Sequence, residues 1–178
     1  MKKNNFRKFC YLPEISTKNL CKIGLLIAIT IVLSAISGYL RIGNISKLSI
    51  SFISVFVSSY AYGGIIGGFV GAAADIISFI VNPTGPFIPL LTIIEFMYGY
   101  IYGIFFFNTP KNKYIPFVFI SGAIQFIINI FIKTLILSST FNMDYNVLFI
   151  SRIPSCLVQF TIYIFLLIII KPYLKNLK

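Results

Sequence analysis

The chain has 178 residues, of which 58% are hydrophobic and 11% are charged, and its formal net charge is +11. A soluble domain of this length does not need so much apolar surface, so the composition predicts an integral membrane protein without room for a soluble catalytic domain. The absence of histidine, of a metal-binding cysteine spacing and of a P-loop argues against an enzyme and against ATP hydrolysis by this chain.

Six apolar runs predict an all-α membrane protein built as a bundle of six transmembrane helices, because each run is close to the roughly 20 residues that cross a bilayer. The predicted helices cover residues 23–40, 48–62, 63–82, 87–107, 115–138 and 151–170. Residues 1–22 are predicted to be a basic tail, 23–170 the transmembrane domain, and 171–178 a second basic tail. Pro172 is expected to end the last helix.

The basic residues orient this predicted domain. If the N-terminus lies inside, eleven of the fifteen lysines and arginines fall on the cytoplasmic side, whereas Arg41 and Lys47 lie outside. Cytoplasmic loops carry such an excess of lysine and arginine. The sequence therefore predicts a multi-pass protein with both termini in the cytoplasm, and it attributes the positive charge to topology instead of nucleic-acid binding.

Five ionisable residues fall in the outer half of the predicted bundle. By helical rise, Asp75 and Glu95 lie roughly 10 Å below the outer ends of the third and fourth helices. Lys133 lies near the outer end of the fifth helix, Arg152 is predicted to open the sixth, and Arg41 closes the first. Charges in a bilayer are costly, so this shared depth predicts a polar ligand site. Snorkelling of Lys133, interfacial anchoring of the arginines and a structural ion pair of either acid are the alternatives.

Polar residues at helical spacing predict a lined cavity between the fourth, fifth and sixth helices. The fifth helix carries a stripe of period four: Ser121, Gln125, Asn129 and Lys133. Similar faces occur on the other two helices: Thr92, Glu95, Gly99 and Tyr102, and Arg152, Ser155 and Gln159. Polar faces of this kind also serve as hydrogen-bonded contacts between helices, which leaves a purely structural role open.

The loop at 82–89 contains three prolines and one glycine between the third and fourth helices. Proline fixes φ and glycine permits a tight turn, so the pattern favours a rigid lid over a flexible linker. Thr84 lies in this lid, and Phe87, Tyr39 and Tyr98 are candidate aromatic walls for a flat ligand. Aromatic residues are also frequent at membrane interfaces.

Small residues follow two patterns. The glycines of the third helix, at spacing four from Gly63 to Gly71, predict close packing within the bundle. Gly24 and Ala28 form a small patch on the inner half of the first helix, and Ser34 and Gly38 continue it outward. Such a patch on a peripheral helix is equally typical of a docking surface for another membrane protein and of internal packing.

These features together resemble the substrate-binding S components of energy-coupling factor vitamin transporters, most of all their folate-specific branch. The resemblance rests on the small-residue patch of the first helix, LRIG at 40–43, the glycine run at 63–75, PTGPF at 83–87 and YIYG at 100–103. It covers nearly the whole chain from about residue 20. The family's docking patch is Ala-xxx-Ala, and here its first position is Gly24.

The resemblance implies a bacterial membrane protein that binds its vitamin near the outer face and reorients to release it inside. It implies a transmembrane coupling protein and two cytosolic ATPases as partners, with ATP used by those partners and no cofactor on this chain. A carboxylate suits the pterin edge of folate, and a cation suits its glutamate tail. The substrate-binding residues are then expected to be Arg41, Asp75, Thr84, Phe87, Glu95, Tyr98, Gln125, Asn129, Lys133 and Arg152. The alternatives are an S component for pantothenate, thiamine or riboflavin, and a stand-alone proton-coupled transporter.

Overall fold

The structure, a computed structural model, describes residues 16–39, 41–42, 46–47, 49–81, 83, 85–110 and 113–176. Its helices are α1 (Thr17–Tyr39), α2 (Phe52–Tyr62), α3 (Gly64–Val81), α4 (Pro89–Phe106), α5 (Tyr114–Phe141) and α6 (Tyr145–Ile170). A π-helical turn at Ile128–Ile132 interrupts α5, and a 3-10 turn at Tyr173–Asn176 follows α6. Between α1 and α2, the two-residue strands β1 (Arg41–Ile42) and β2 (Ser46–Lys47) pair antiparallel. In the described part of the chain the regular elements are therefore these helices and this hairpin, and short turns or non-helical residues connect them.

Five of these helices, α1 and α3 to α6, are long and apolar enough to cross a membrane. The exception is α2, which has 11 residues. At 1.5 Å per residue it measures roughly 16 Å, about half the thickness of the hydrocarbon core. The structure thus supports a multi-pass membrane protein, whereas six complete spans and the orientation of the termini stay predictions.

Two helices begin earlier than the sequence predicted. The first starts at Thr17 instead of residue 23, so the predicted boundary between tail and domain falls inside α1. The last starts at Tyr145 instead of residue 151. The added first residues of α1 are mostly polar, so this helix extends beyond the apolar run, whereas residues 147–150 of α6 are apolar and continue that run past Arg152. The predicted end before Lys171 and Pro172 is confirmed, because α6 ends at Ile170.

Glycines bring α3 and α4 into backbone contact. A Cβ atom on Gly99 would overlap the carbonyl group of Gly67, and one on Gly103 would overlap the backbone of Gly64. A Cβ atom on Gly71 would lie 2.8 Å from the carbonyl oxygen of Glu95. The predicted packing role of the glycine run is confirmed, and this close approach places the polar faces of both helices side by side.

Aromatic residues fill the bundle below the polar level. Phe56 of α2 packs against Phe106 and Tyr102 of α4, with ring centroids 4.9 Å and 5.6 Å apart. Tyr102 stacks on Tyr163 of α6 at 6.0 Å. All four side chains are buried. This core fixes α2, α4 and α6 relative to one another and supports the charged residues above it.

Candidate functional site

A polar cavity of about 90 Å³ lies between the first four helices. Both membrane carboxylates border it, as the sequence predicted from their depth. Hydroxyl groups supply much of the remaining wall. The lining residues are Thr30, Ser34, Ser49, Ser51, Val55, Gly71, Ala74, Asp75, Ser78 and Glu95.

Asp75 is oriented by the neighbouring helix. The hydroxyl of Thr92 on α4 donates a hydrogen bond of 2.6 Å to its carboxylate oxygen Oδ2. This bond crosses the glycine-mediated contact between α3 and α4, so it depends on the close approach of the two backbones. The predicted polar face of α4, which includes Thr92 and Glu95, therefore lies beside the cavity.

Glu95 forms an ion pair with Lys133 of α5, with 2.8 Å between Oε1 and Nζ. The side chains are 32% and 19% exposed, so both charges are largely removed from solvent. The Lys133 ammonium also lies 5.4 Å from the ring centroid of Tyr98, within the range of a cation–π interaction. Of the alternatives considered for Lys133 and Glu95, the geometry favours the ion pair over snorkelling.

A π-helical turn of α5 changes the direction in which the last residue of the predicted polar stripe faces. In an α-helix every fourth residue advances by about 40° around the axis, so a long stripe drifts away from one face. A π-helical turn contains more residues per turn and offsets this drift. The turn at Ile128–Ile132 contains Asn129 and ends next to Lys133, so it contributes to directing the ammonium toward Glu95.

We predict that Lys133→Met destabilises the ligand-free protein, because it leaves the Glu95 carboxylate without its cation. Breaking a buried pair costs about 3–5 kcal/mol, and partial exposure reduces the expected loss to about 2 kcal/mol. Denaturant unfolding in detergent measures it. The matched control is the double variant Lys133→Met with Glu95→Gln, which removes both charges and should regain most of the loss. Equal destabilisation of the single and double variants would contradict the prediction.

Arg152 is buried, with 9% of its surface exposed. Its Nε and Nη1 atoms have no hydrogen-bond partner within the part of the chain that the structure describes. It lies close enough to Lys133 and Tyr98 to interact with both electrostatically. The prediction that Arg152 opens the sixth helix is wrong, because α6 begins at Tyr145 and Arg152 lies two turns inside it.

A second, much smaller cavity of about 10 Å³ lies between α5 and α6. It is about the size that holds one water molecule. Gln125 and Asn129, two of the predicted site residues, line it together with Gln159 and Tyr163. The amide nitrogen of Gln125 is buried without a hydrogen-bond partner among the described residues. The stripe of α5 thus has three environments. Lys133 forms the ion pair with Glu95, Gln125 and Asn129 line the smaller cavity, and the hydroxyl of Ser121 is hydrogen-bonded to the hydroxyl of Tyr163.

The structure does not test the predicted roles of three side chains: Thr84 and the side chains of Tyr39 and Arg41 lie outside the described residues. Phe87 is described. It is 44% exposed, packs on Phe79 of α3 at 5.1 Å and is not among the residues that line the larger cavity.

Helix α1 contributes to the cavity, which the sequence patterns did not predict. Thr30 and Ser34 line the larger cavity, although Ser34 also continues the predicted small-residue patch of this helix. Thr30, Ser34 and Ser37 recur at spacings of four and three in an apolar helix, which is the signal that could have identified an inward face. Gly24 lies on a different face and is exposed, and a Cβ atom added to it would have no neighbouring atom within 4 Å.

Comparison with known proteins adds independent findings. The family model described as "ECF transporter, substrate-specific component" matches residues 18–171. A folate transporter, FolT, of Clostridium novyi (strain NT) is 30% identical over 120 residues, which cover 67% of this chain and 69% of that protein. The crystal structure of FolT bound with folic acid superposes with a TM-score of 0.76 over 85% of this chain and 91% of that chain, at 23% identity. At that identity, the structural match shows the fold alone.

Proposed function

The chain belongs to the substrate-specific components of ECF transporters, and from this premise we propose that it is the folate-binding subunit of such an importer. The observation that carries the proposal is the group of two carboxylates and two cations at one level of the bundle: Asp75, Glu95, Lys133 and Arg152. Folate matches this group because its pterin edge donates hydrogen bonds and its glutamate tail carries carboxylates.

We propose that the chain crosses the membrane six times with both termini in the cytoplasm, as the distribution of basic residues favours. The short α2 completes its crossing with the non-helical residues that precede it. Non-helical backbone is tolerated at membrane depth where it is buried in protein or lines a cavity, and Ser49 and Ser51 line the larger cavity. In this arrangement residues 23–170 form the substrate-binding domain, between basic tails at 1–22 and 171–178.

We propose that the carboxylates and the cations of the site bind opposite ends of the ligand. Asp75 and Glu95 accept hydrogen bonds from the pterin edge, and Tyr98 is an aromatic wall. Lys133 is already neutralised by Glu95, whereas the Arg152 guanidinium retains unpaired donors in a buried position. Among the described residues Arg152 forms no ion pair with a carboxylate, and a buried cation without a counter-charge is costly, so Arg152 is the stronger candidate for a ligand carboxylate. The remaining proposed contacts are Arg41, Thr84, Phe87, Gln125 and Asn129.

Arg152→Gln is expected to lower the affinity for folic acid about 30-fold or more, because loss of a buried charge-assisted contact costs about 2–5 kcal/mol. Its affinity for hydroxymethylpterin, which lacks the glutamate tail, should change little. Titration calorimetry on the purified chain measures both affinities. The matched control is Lys171→Gln, which removes one positive charge beyond the inner end of α6. If Arg152→Gln lowered the affinities for both ligands equally, Arg152 would not be the residue that binds the glutamate tail.

The partners follow from the family. We propose that a transmembrane coupling protein and two cytosolic ATPases supply the energy, and that this chain carries no cofactor. Gly24 and Ala28 are proposed as the docking patch for the coupling protein, which their exposure on α1 supports. Ligand captured at the outer face is then released inside when the subunit reorients in the membrane.

The decisive experiment is a binding measurement on the purified full chain in lipid nanodiscs. Folic acid should bind tightly, whereas riboflavin, thiamine and pantothenate should not. A response to one of these vitamins without a response to folic acid would replace the proposed ligand within the same family. Uptake by this chain alone in liposomes, driven by a pH gradient, would instead favour a stand-alone transporter.

A further inference from the structure

The chain segment that leads into α2 is held by a side chain 110 residues away in sequence. Gln159 of α6 makes two hydrogen bonds with the backbone of Ser49. Its Oε1 atom accepts from the Ser49 N–H at 3.0 Å, and its Nε2 atom donates to the Ser49 carbonyl at 2.7 Å. The amide thus satisfies both backbone polar groups of one residue, as a neighbouring strand would.

Contacts with α1 hold this segment and the first turn of α2. The N–H of Ile50 donates to the hydroxyl of Ser37 on α1 at 2.9 Å. In α2, the hydroxyl of Ser54 donates to the backbone carbonyl of Leu26 on α1 at 2.9 Å. The segment is therefore bonded to α1 on one side and to α6 on the other. These bonds matter because residues 49–51 are not helical, so the Ser49 N–H and carbonyl and the Ile50 N–H take their partners from side chains of α6 and α1.

The held segment is a wall of the larger cavity. Ser49 and Ser51 line it opposite Asp75 and Glu95, and their hydroxyl groups are hydrogen-bonded to each other at 2.8 Å. The segment directly follows the hairpin of β1 and β2, which lies between α1 and α2. Loss of the bonds to α6 would therefore leave this wall of the cavity less firmly held.

We propose that Gln159 is a positioning residue of the ligand site, whose amide closes this wall and so sets how long the ligand stays bound. The proposal deepens the proposed function and rests on it for the identity of the ligand. Both polar atoms of the Gln159 amide are hydrogen-bonded to Ser49. Gln159 therefore affects the ligand by holding the cavity wall in position and does not need to contact the ligand itself. Its loss should affect dissociation more than association, because an open wall still admits ligand but retains it less well.

The test replaces Gln159 by methionine, which keeps the length of the side chain and removes both hydrogen bonds. Dissociation of tritiated folic acid from the full chain in nanodiscs, chased with unlabelled folic acid, should become at least about tenfold faster, since each lost hydrogen bond contributes a factor of this order. The association rate constant should change less than about threefold. Thr161→Val is the matched control on α6, because Thr161 is exposed and bonds only within its own helix in the described contacts.

Hydrogen–deuterium exchange without ligand provides a second readout that does not depend on folate. In Gln159→Met the amides of residues 49–51 should exchange faster than in the wild-type protein. Faster exchange together with faster dissociation supports the proposal. Unchanged dissociation overturns it, whether or not exchange changes, and so does a defect confined to association. If the wild-type chain did not bind folic acid, the proposed function would fail, and unchanged exchange in the variant would separately overturn the positioning role.

Discussion

Gly99→Leu is expected to abolish ligand binding by separating α3 from α4. A Cβ atom at position 99 would overlap the backbone of Gly67, and backbone atoms cannot move aside as a flexible side chain can. The two helices would have to move apart, which would break the 2.6 Å hydrogen bond between Thr92 and Asp75. Overpacking of this kind costs about 1–3 kcal/mol even in an adaptable core, and a backbone overlap exceeds that range. Size-exclusion chromatography and folic acid titration measure assembly and binding.

The matched control for Gly99→Leu is the same substitution at Gly24. Gly24 is exposed and has no atom within 4 Å of its Cβ position, so a leucine there adds a side chain without displacing a neighbour. Gly24→Leu should remain monodisperse and bind ligand as the wild-type protein does. A monodisperse Gly99→Leu protein with wild-type affinity would show that α3 and α4 do not need this close approach.

The depth of the charged residues could be predicted from the sequence. In long apolar helices each residue adds 1.5 Å, so position along the helix gives depth directly. This reasoning placed Asp75 and Glu95 at the same level, and both line one cavity. The glycine run was predictable for a similar reason, because small residues at spacing four have few uses in a membrane helix besides close packing.

The pairing of the charges could not be predicted, because it depends on how each helix is rotated about its axis. Sequence spacing does not reveal the π-helical turn of α5, which contributes to directing Lys133 toward Glu95. The position of Arg152 within its helix was not predicted either, because a charged residue was expected to mark the outer boundary of the span, whereas α6 continues outward through the apolar residues 147–150. The bonds between Gln159 and Ser49 join residues 110 positions apart, so only the assembled bundle brings them together.

Ala28→Leu is expected to abolish uptake by the assembled transporter while ligand binding stays intact. Ala28 is exposed on α1, one turn from Gly24, on the opposite side of the helix from the buried Thr30 and Ser37. Between helices in lipid, association depends on close van der Waals packing, which small residues permit and a leucine prevents. Folic acid uptake into liposomes containing the coupling protein and both ATPases should fall at least about tenfold, whereas affinity in the absence of partners should not change.

Thr161→Leu is the control for Ala28→Leu. It distinguishes a specific loss of docking from a general effect of a larger side chain at the lipid-facing surface. Thr161 is exposed on α6, so the substitution again places a leucine on a surface position without entering the ligand cavity. It should support wild-type uptake. Full uptake by Ala28→Leu would refute the docking role of this patch, and equal loss in both variants would attribute the defect to bulk. Because a docking defect acts after binding, only the combination of retained affinity and lost uptake identifies it, and Gly24→Leu should reproduce that combination.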